Sequence, residues 1–310
     1  MNISLSCIIF CKNKKENTVH LLKEISRQTI LPDHVILIEN ILNGKNFNLR
    51  VLKKIFGGKL IQLQYKQVLY KNVAQSRRLA LQLIKTKIAV FMDNDISIPS
   101  NYLYKIHQCF HKQKNITAMV GPVLPMDKSL MSHYGSIFCS QGHMLEKNML
   151  AINSYGMAAV ALYMPKVKLL KLSFDPYLDT GEDMDFYLSL KEKGGILLFN
   201  PALRIRHNFK KGYLLEFLYR YYKYALNFLD IEKKHPHVYS FSHILPQRKI
   251  HWLLLPFYIM YCSYIQVEKE LPNRFWPLAL IVHLVITIGV YNSPRGRVLL
   301  KQNFIKSWHP

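Results

Sequence analysis

Along the first two hundred positions, apolar residues fall into short unbroken runs separated by stretches in which they recur every three or four places. The runs are residues 5–11 (LSCIIFC), 34–39 (HVILIE), 60–65 and 87–92 (KIAVFM). Their shortness and lack of alternation predict strands buried on both faces. The intervening segments predict helices over 18–28, with Val19, Leu22 and Ile25 on one face, and over 49–56 and 74–84. Strands alternating with helices build βαβ units, so the fold class is α/β with a mostly parallel central sheet. Such sheets bind ligands beyond the carboxyl ends of their strands. Those ends carry Cys11–Asn13, Glu39–Asn40 and Asp93–Asp95, all polar.

After Pro99 the pattern predicts a helix over 101–111 and a strand over 116–123. Residues 124–155 are rich in Met, His, Ser and Gly without clear periodicity and read as a long loop. A strand (157–163), helices (166–172 and 182–193, the latter ended by Gly194–Gly195) and strands near 196–199 and 203–207 follow. Beyond about residue 210 the composition shifts, which divides the chain into a catalytic-type domain, 1–210, and a helical C-terminal region, 211–310. Residues 213–229 are aromatic and basic, and two apolar stretches follow, 252–265 and 275–291. The tail, 292–310, carries Arg295, Arg297, Lys301 and Lys306 and no acidic residue. A spanning helix needs about 20 apolar residues. The stretch 275–291 has seventeen, and 252–265 is shorter and contains Pro256. Two readings compete, a helical hairpin packed on the catalytic domain and an interfacial anchor. Aromatic ends and basic flanks favour the second, on an anionic membrane surface.

A formal net charge of +23 implies an anionic partner. No Lys/Arg block resembles a nucleic-acid arm and no nucleic-acid-binding signature is present, so a phosphorylated substrate or anionic lipid is expected and nucleic acid is not. The apolar run at the N-terminus is short and is followed by its lysines, unlike a signal peptide. The expected location is therefore cytoplasmic, peripheral on the inner face of the plasma membrane. Five cysteines, at 7, 11, 109, 139 and 262, form no CxxC pair, which argues against a zinc ribbon or a disulfide framework. Cys7 and Cys11 read as core packing.

Two constellations carry chemistry. In KIAVFMDNDIS an apolar strand delivers two carboxylates, one residue apart, to the rim of the sheet. Side chains at i and i+2 point the same way and at a turn can converge on one hard cation, Mg²⁺ or Mn²⁺. The plainer reading is a solvated turn. Haloacid-dehalogenase-type phosphatases also place such a pair after a strand, but nearer the N-terminus than here. In FDPYLDTGEDMDFYLSLKEKGG, Thr180 and Asp183 are spaced as a capping box, which could be their whole role. Yet Asp179, Glu182, Asp183 and Asp185 crowd into seven positions of a basic protein. Like charges so close persist most naturally near a cation or where a base is needed.

Together these segments resemble the family 2 glycosyltransferases over roughly residues 4–210, and the resemblance implies the GT-A fold. SCIIFCKNKKENTVHLLKEISRQTILPDHVILIEN is similar to the family opening, whose second strand ends in an acidic residue at the nucleobase, here Glu39. NVAQSRRLAL resembles the segment that faces the donor and puts Arg77 near the nucleotide or its phosphates. MDND matches the metal-binding triplet, with Asp95 on the ion, Asp93 on the ribose or in the metal shell, and Asn94 beside the donor. TGEDMD matches the acidic motif whose Asp is the general base, here Asp183, with Glu182 and Asp185 in support. RIRH matches a strand-end histidine that in some members completes the metal shell, His207. The chain departs from the family pattern at Phe10 (usually Pro), at Arg78 (usually Asn) and at Leu172–Ser173 (usually Gly-Gly).

The resemblance implies an inverting transfer of a sugar from a nucleotide-sugar donor to a hydroxyl of a carbohydrate or lipid-linked acceptor, with Mn²⁺ or Mg²⁺, in cell-envelope or surface-polysaccharide assembly. The alternatives are another metal-dependent phosphoryl or nucleotidyl enzyme using the same carboxylate pair, and a non-catalytic basic membrane-binding protein. His235, His237, His243 and His251 match no metal motif, because Pro236 and Pro246 break any common helix. The tyrosines of 213–224 read as helix packing.

Overall fold

The computed structural model describes residues 3–11, 15–41, 47, 49–70, 72–113, 115–140, 143, 145–209, 214–236 and 276–299. The chain divides into two compact units, Met1–Phe209 and Lys210–Pro310. In the first, β1 (Leu5–Cys11), α1 (Lys15–Ser26), β2 (His34–Asn40), α2 (Leu49–Phe56), β3 (Gln62–Val68), α3 (Val73–Leu83) and β4 (Ile88–Asp93) follow one another. Next come β5 (Ile96–Ser97), α4 (Tyr102–Lys112), β6 (Ala118–Val120), β7 (Val123–Pro125), α5 (Leu130–Ser140), β8 (Leu150–Ile152) and β9 (Ala159–Tyr163). The unit ends with α6 (Met164–Leu169), α7 (Glu182–Glu192), β10 (Leu197–Phe199) and β11 (Ile205–His207).

The main sheet has eight strands in the order β3-β2-β1-β4-β9-β6-β10-β8. The first four pair in parallel. All seven residues of β1 are buried, as its unbroken apolar run requires. Phe10 lies beside Asp93 and Cys11 beside Glu39, so the polar strand ends share one edge. The antiparallel β9 is inserted between β4 and β6, pairing Met92 with Ala159 and Ile88 with Tyr163. A separate sheet of three short strands runs β5-β11-β7.

Two expectations change. The single strand expected over 116–123 is β6 and β7, which belong to different sheets. Between them a Cβ on Gly121 would stand 2.3 Å from the Leu203 carbonyl oxygen, so only glycine lets the two backbones cross there. The loop expected over 124–155 contains α5 and β8. The buried face of α5 includes Ser132, Ser136 and Ser140, spaced one turn apart. Ser136 and Ser140 donate from their hydroxyls to the Val123 carbonyl. A helix that buries three serines beside Tyr134 and Ile137 lacks the continuous apolar stripe that periodicity detects.

The second unit contains α8 (Leu214–Lys234) and α9 (Trp276–Asn292), packed on each other. Of the aromatic run in α8, Phe217 and Tyr221 are buried with ring centroids 4.9 Å apart, whereas Tyr219 is exposed. Leu215, Leu218, Tyr219, Tyr222, Val285 and Ile288, together with Glu216, line a largely apolar groove of about 560 Å³. No helix of the described residues is long and apolar enough to cross a membrane. His235 is buried, while His237, His243, His251, Cys262 and the stretch 252–265 lie outside the described residues.

The link that ties the first unit together is ionic. Arg77, on α3, is buried, and its guanidinium donates to Glu182 at the start of α7, to Asp93 Oδ1 at the end of β4 (3.4 Å) and to the Met157 carbonyl ahead of β9 (3.3 Å). It lies 5.8 Å from the Phe10 ring and 6.0 Å from that of Phe174. Phe10, where the family pattern has proline, thus forms part of a cation–π seat. Phe174 in turn stacks on Phe186 of α7 with centroids 4.6 Å apart. Burial pushes Glu182 up to about 7 from its ordinary 4.5, and Arg77 opposes that rise.

Replacing Arg77 by Met is expected to destabilise the protein by about 3–5 kcal/mol, because it strands a buried carboxylate. A carboxyl whose folded-state pKa lies above its unfolded one loses stability as pH rises from the unfolded value through the folded one. Without Arg77 the folded pKa of Glu182 rises further. The gap between Arg77→Met and the parent, read from urea unfolding, should therefore be smaller at pH 5 than at pH 8. A gap that is the same at both, or absent, removes the ionic link as the cause.

Candidate active site

Asp93 ends β4 and Asp95 follows one turn residue later, just before β5. The pairing of β5 with β11 then decides what faces them. Antiparallel register sets Ile96 opposite His207, and the Asn208 amide donates to the Asp95 carbonyl at 2.9 Å. His207 Nε2 consequently stands 3.3 Å from Asp95 Oδ1. One ligand atom each from Asp93, Asp95 and His207 lie within 4.8 Å of one another. Two carboxylates and an imidazole at that spacing fit the shell of a divalent ion that keeps further positions for substrate oxygens.

A third of the Asp93 side chain is accessible, and the protein packed around the rest desolvates its carboxylate. Burial pushes Asp93 up to about 7; Arg77 opposes the shift, and Asp95, Glu182 and Asp183 add to it. Crowded carboxylates of this kind are relieved by a cation. Between the two aspartates, Asn94 turns its amide inward, donating to Thr18 Oγ1 at 2.9 Å and to Cys11 Sγ at 3.6 Å. It fastens the turn to α1 and to the end of β1.

The acidic segment is sorted by burial. Glu182 is buried on Arg77 and Asp185 is buried, whereas Asp183 remains partly open. Its Oδ1 accepts from the Met184 amide at 2.8 Å and its Oδ2 from the Met157 amide at 3.4 Å. The capping-box reading fails, because the N-cap of α7 is Gly181, not Thr180. Gly181 sits at φ 79° and makes no side-chain cap hydrogen bond. Glycine adopts that left-handed conformation without a Cβ penalty, and the chain turns abruptly into α7 there. Asp183 stands in the first turn, at the positive end of the helix dipole.

Arg77, which the resemblance puts near donor phosphates, gives its donors to the protein's own carboxylates and lies beneath the rim. Glu39 lies on the same sheet edge, two strands from β4. It is buried and accepts from the Tyr65 hydroxyl, itself bonded by Gln67 at 2.8 Å. Burial and the Glu39 bond push Tyr65 up to about 12, so it remains a donor. Sequence reasoning did not find Tyr65 or Tyr187. The Tyr187 hydroxyl is buried with no hydrogen-bond partner among the described residues, and burial, with the Asp183 charge adding to it, raises its pKa well above the ordinary value. Tyr187 is four residues from Asp183 and so on the same helix face, a spacing that could have signalled it.

Comparison with known proteins agrees with this fold. No curated protein sequence matches the chain. Among solved structures, it is similar to the mannosyltransferase PcManGT from Pyrobaculum calidifontis in complex with GDP-Man and Mn2+. The identity is 13%, the TM-score 0.56, and the match covers 100% of this chain and 81% of that one. TarS 1-349 from S. aureus in complex with UDP is similar at 13% identity and TM-score 0.52, over 99% of this chain and 93% of that one. GalNAc-T7 with UDP, GalNAc and Mn2+ is similar at 14% identity and TM-score 0.54, over 78% of this chain and 56% of that one. These likenesses identify the fold as GT-A. The family described as "Glycosyl transferase family group 2" matches residues 88–292, from the first residue of β4 to the last of α9. Since that match takes in both carboxylate motifs, His207 and well over half of the sequence, the chain belongs to glycosyl transferase family group 2.

Proposed function

We propose that the protein transfers a sugar, with inversion, from a nucleotide-sugar donor to an acceptor hydroxyl, using Asp183 as general base and Asp93, Asp95 and His207 as ligands of Mn²⁺ or Mg²⁺. The observation that carries this reading is the pairing of a three-ligand set with one accessible carboxylate among the acidic residues in the first turn of α7. Both belong to the Arg77 network, because the Asp183 charge acts on Asp93 and on Arg77. The nucleotide sugars and Mn2+ named with similar structures favour the same donor class.

The chemistry follows from the positions. When bound, the divalent ion supplies positive charge to the leaving diphosphate as a Lewis acid. The acceptor oxygen attacks the anomeric carbon as the bond to the diphosphate oxygen breaks, and that oxygen keeps the electron pair. The acceptor proton passes to the Asp183 carboxylate. A base placed across the sugar from the leaving group suits a single displacement, which inverts the anomeric centre. Amides of Met157 and Met184 hold the Asp183 oxygens in place. Glu39 and Asn94 complete the proposed donor cleft, the first towards the base and the second by holding the turn between the aspartates.

Acceptor and location extend the reading. An apolar groove between α8 and α9, with Leu215 79% and Ile288 52% exposed, suits contact with a membrane surface. A lipid-linked acceptor, peripheral attachment at the inner face of the plasma membrane and a role in envelope or surface-polysaccharide assembly are consistent with that contact and with the net charge of +23.

Asp95→Ala is expected to abolish the Mn²⁺-dependent part of nucleoside diphosphate binding, because it removes an oxygen ligand and a charge from the ion. Calorimetric titration of UDP and GDP with and without Mn²⁺ reads this directly. Equal affinity of parent and variant in Mn²⁺ would remove Asp95 from the metal shell.

Asp183→Asn keeps the side-chain shape and loses the proton acceptor. Turnover per folded molecule should fall about 10²–10⁴-fold while donor affinity stays near that of the parent. Turnover close to the parent's would reassign the base to another group.

The full chain is expected to co-sediment with anionic vesicles in a salt-sensitive manner. Leu215→Asp combined with Ile288→Asp should weaken that binding roughly tenfold or more, given the cost of placing charge on a buried apolar contact. Undiminished binding by the double variant would place the membrane contact elsewhere.

A further inference from the structure

The edge of the main sheet opposite the carboxylate cluster carries a second feature. Asp93 is the last residue of β4, and Ile88 is its first. Ile88 pairs with Tyr163, the end of β9, and α6 begins at the next residue. Here α3, α6 and the segment after α6 enclose a groove of about 260 Å³. Met164, Val167 and Leu172 form a buried floor, while Arg78, Lys168 and Lys171 stand exposed around it. No acidic residue lines the groove, and no ion pair among the described residues involves any of the three cations. Uncompensated like charges around one hollow repel one another, which a bound anion reverses.

The backbone fixes part of this arrangement. Lys171 is the one non-glycine among the described residues with a positive φ, at 50°. Its amide donates to the Lys168 carbonyl at 3.0 Å, the Leu172 amide donates to Val167 O at 3.0 Å, and Lys193 Nζ donates to Lys171 O at 3.0 Å. This position, just past the end of α6, is one where glycine is the residue without strain. A lysine held there places a charge at the groove at a conformational cost, and brings Lys193 in behind it. Arg78 and Leu172–Ser173 are also where the sequence departs from the family pattern, and all three residues line the groove.

We propose that this groove is an anion site that takes a phosphate group, separate from the donor cleft. A guanidinium offers phosphate a planar two-donor fork, two ammonium groups add mobile charge, and the Ser173 hydroxyl lies within the same lining. The inference does not depend on the proposed reaction, since no residue of the metal set or of the acidic helix start lines the groove. A soluble phosphate and a lipid phosphate headgroup share the chemistry, and the experiment separates them.

Pyrophosphate is titrated calorimetrically into the full chain in EDTA, which removes metal-dependent binding at Asp93 and Asp95. Saturable binding is expected in the parent and equally in Asp95→Ala. Arg78→Gln and Lys171→Gly should each weaken it about tenfold or more, as loss of a charge-assisted hydrogen bond implies. Lys171→Gly relieves the positive φ and should unfold at the same temperature as the parent or higher, so its loss of binding cannot come from misfolding. A parent that does not saturate, or variants that bind as tightly as the parent, overturn the site. Given the expected result, co-sedimentation with phosphatidic-acid vesicles assigns the source. Weaker sedimentation of Lys171→Gly than of the parent marks a lipid headgroup, and equal sedimentation marks a soluble phosphate.

Discussion

The carboxylates at the end of β4 and the start of α7 are organised by one buried cation. Arg77 reaches the end of β4, the start of α7 and the approach to β9 at once. It thereby sets the distance between the carboxylates at the strand end and those of the helix. A buried ion pair adds little to net stability when compared with apolar packing, because desolvation offsets the attraction. Its value is geometric. Hydrophobic contacts between α3 and α7 would tolerate sliding, whereas a guanidinium shared by two carboxylates and a carbonyl tolerates little. The aromatic seat of Phe10 and Phe174 restricts it further.

This arrangement also explains how three acidic groups, Asp93, Glu182 and Asp183, coexist. Asp93 and Glu182 are both pushed towards neutrality by burial, and both are drawn back by Arg77. Asp183 escapes the deepest burial because Gly181 turns the chain into α7 one residue before the Arg77 contact at Glu182. Successive positions on a helix point about 100° apart. Glu182 therefore faces inward, and its neighbour faces the opening.

Much of the first unit was legible from the chain alone. The strands β1, β2 and β4 are continuous apolar runs because they are buried on both faces, and a run of that kind has few other readings. Helix α5 was hidden, since hydrogen-bonded serines fill the positions that aliphatic side chains usually mark. The split between β6 and β7 was hidden too, because Gly121–Pro122 interrupts an apolar stretch by only two residues. At the candidate site, the Asp93–Asn94–Asp95 turn and the acidic segment stand out by composition. Two things depend on long-range packing and could not be read locally: the inward direction of Arg77, and the partition of Glu182 from Asp183. Phe10 looked like a mere departure from a pattern, yet its ring seats Arg77.

The register of β5 with β11 bears on how the protein comes into being. Asp95 and His207 are 112 positions apart, and that short antiparallel contact brings them together. During synthesis the first four strands emerge and can pair through helix-spaced, sequential crossovers. The histidine arrives much later and by a non-local closure, the kind of step that topology makes slow. A nascent chain therefore carries the aspartates without their third companion until nearly the whole first unit has left the ribosome. Partly made copies have only the two-carboxylate turn, two of the three proposed ligands. Completion of the proposed ligand set coincides with completion of the unit.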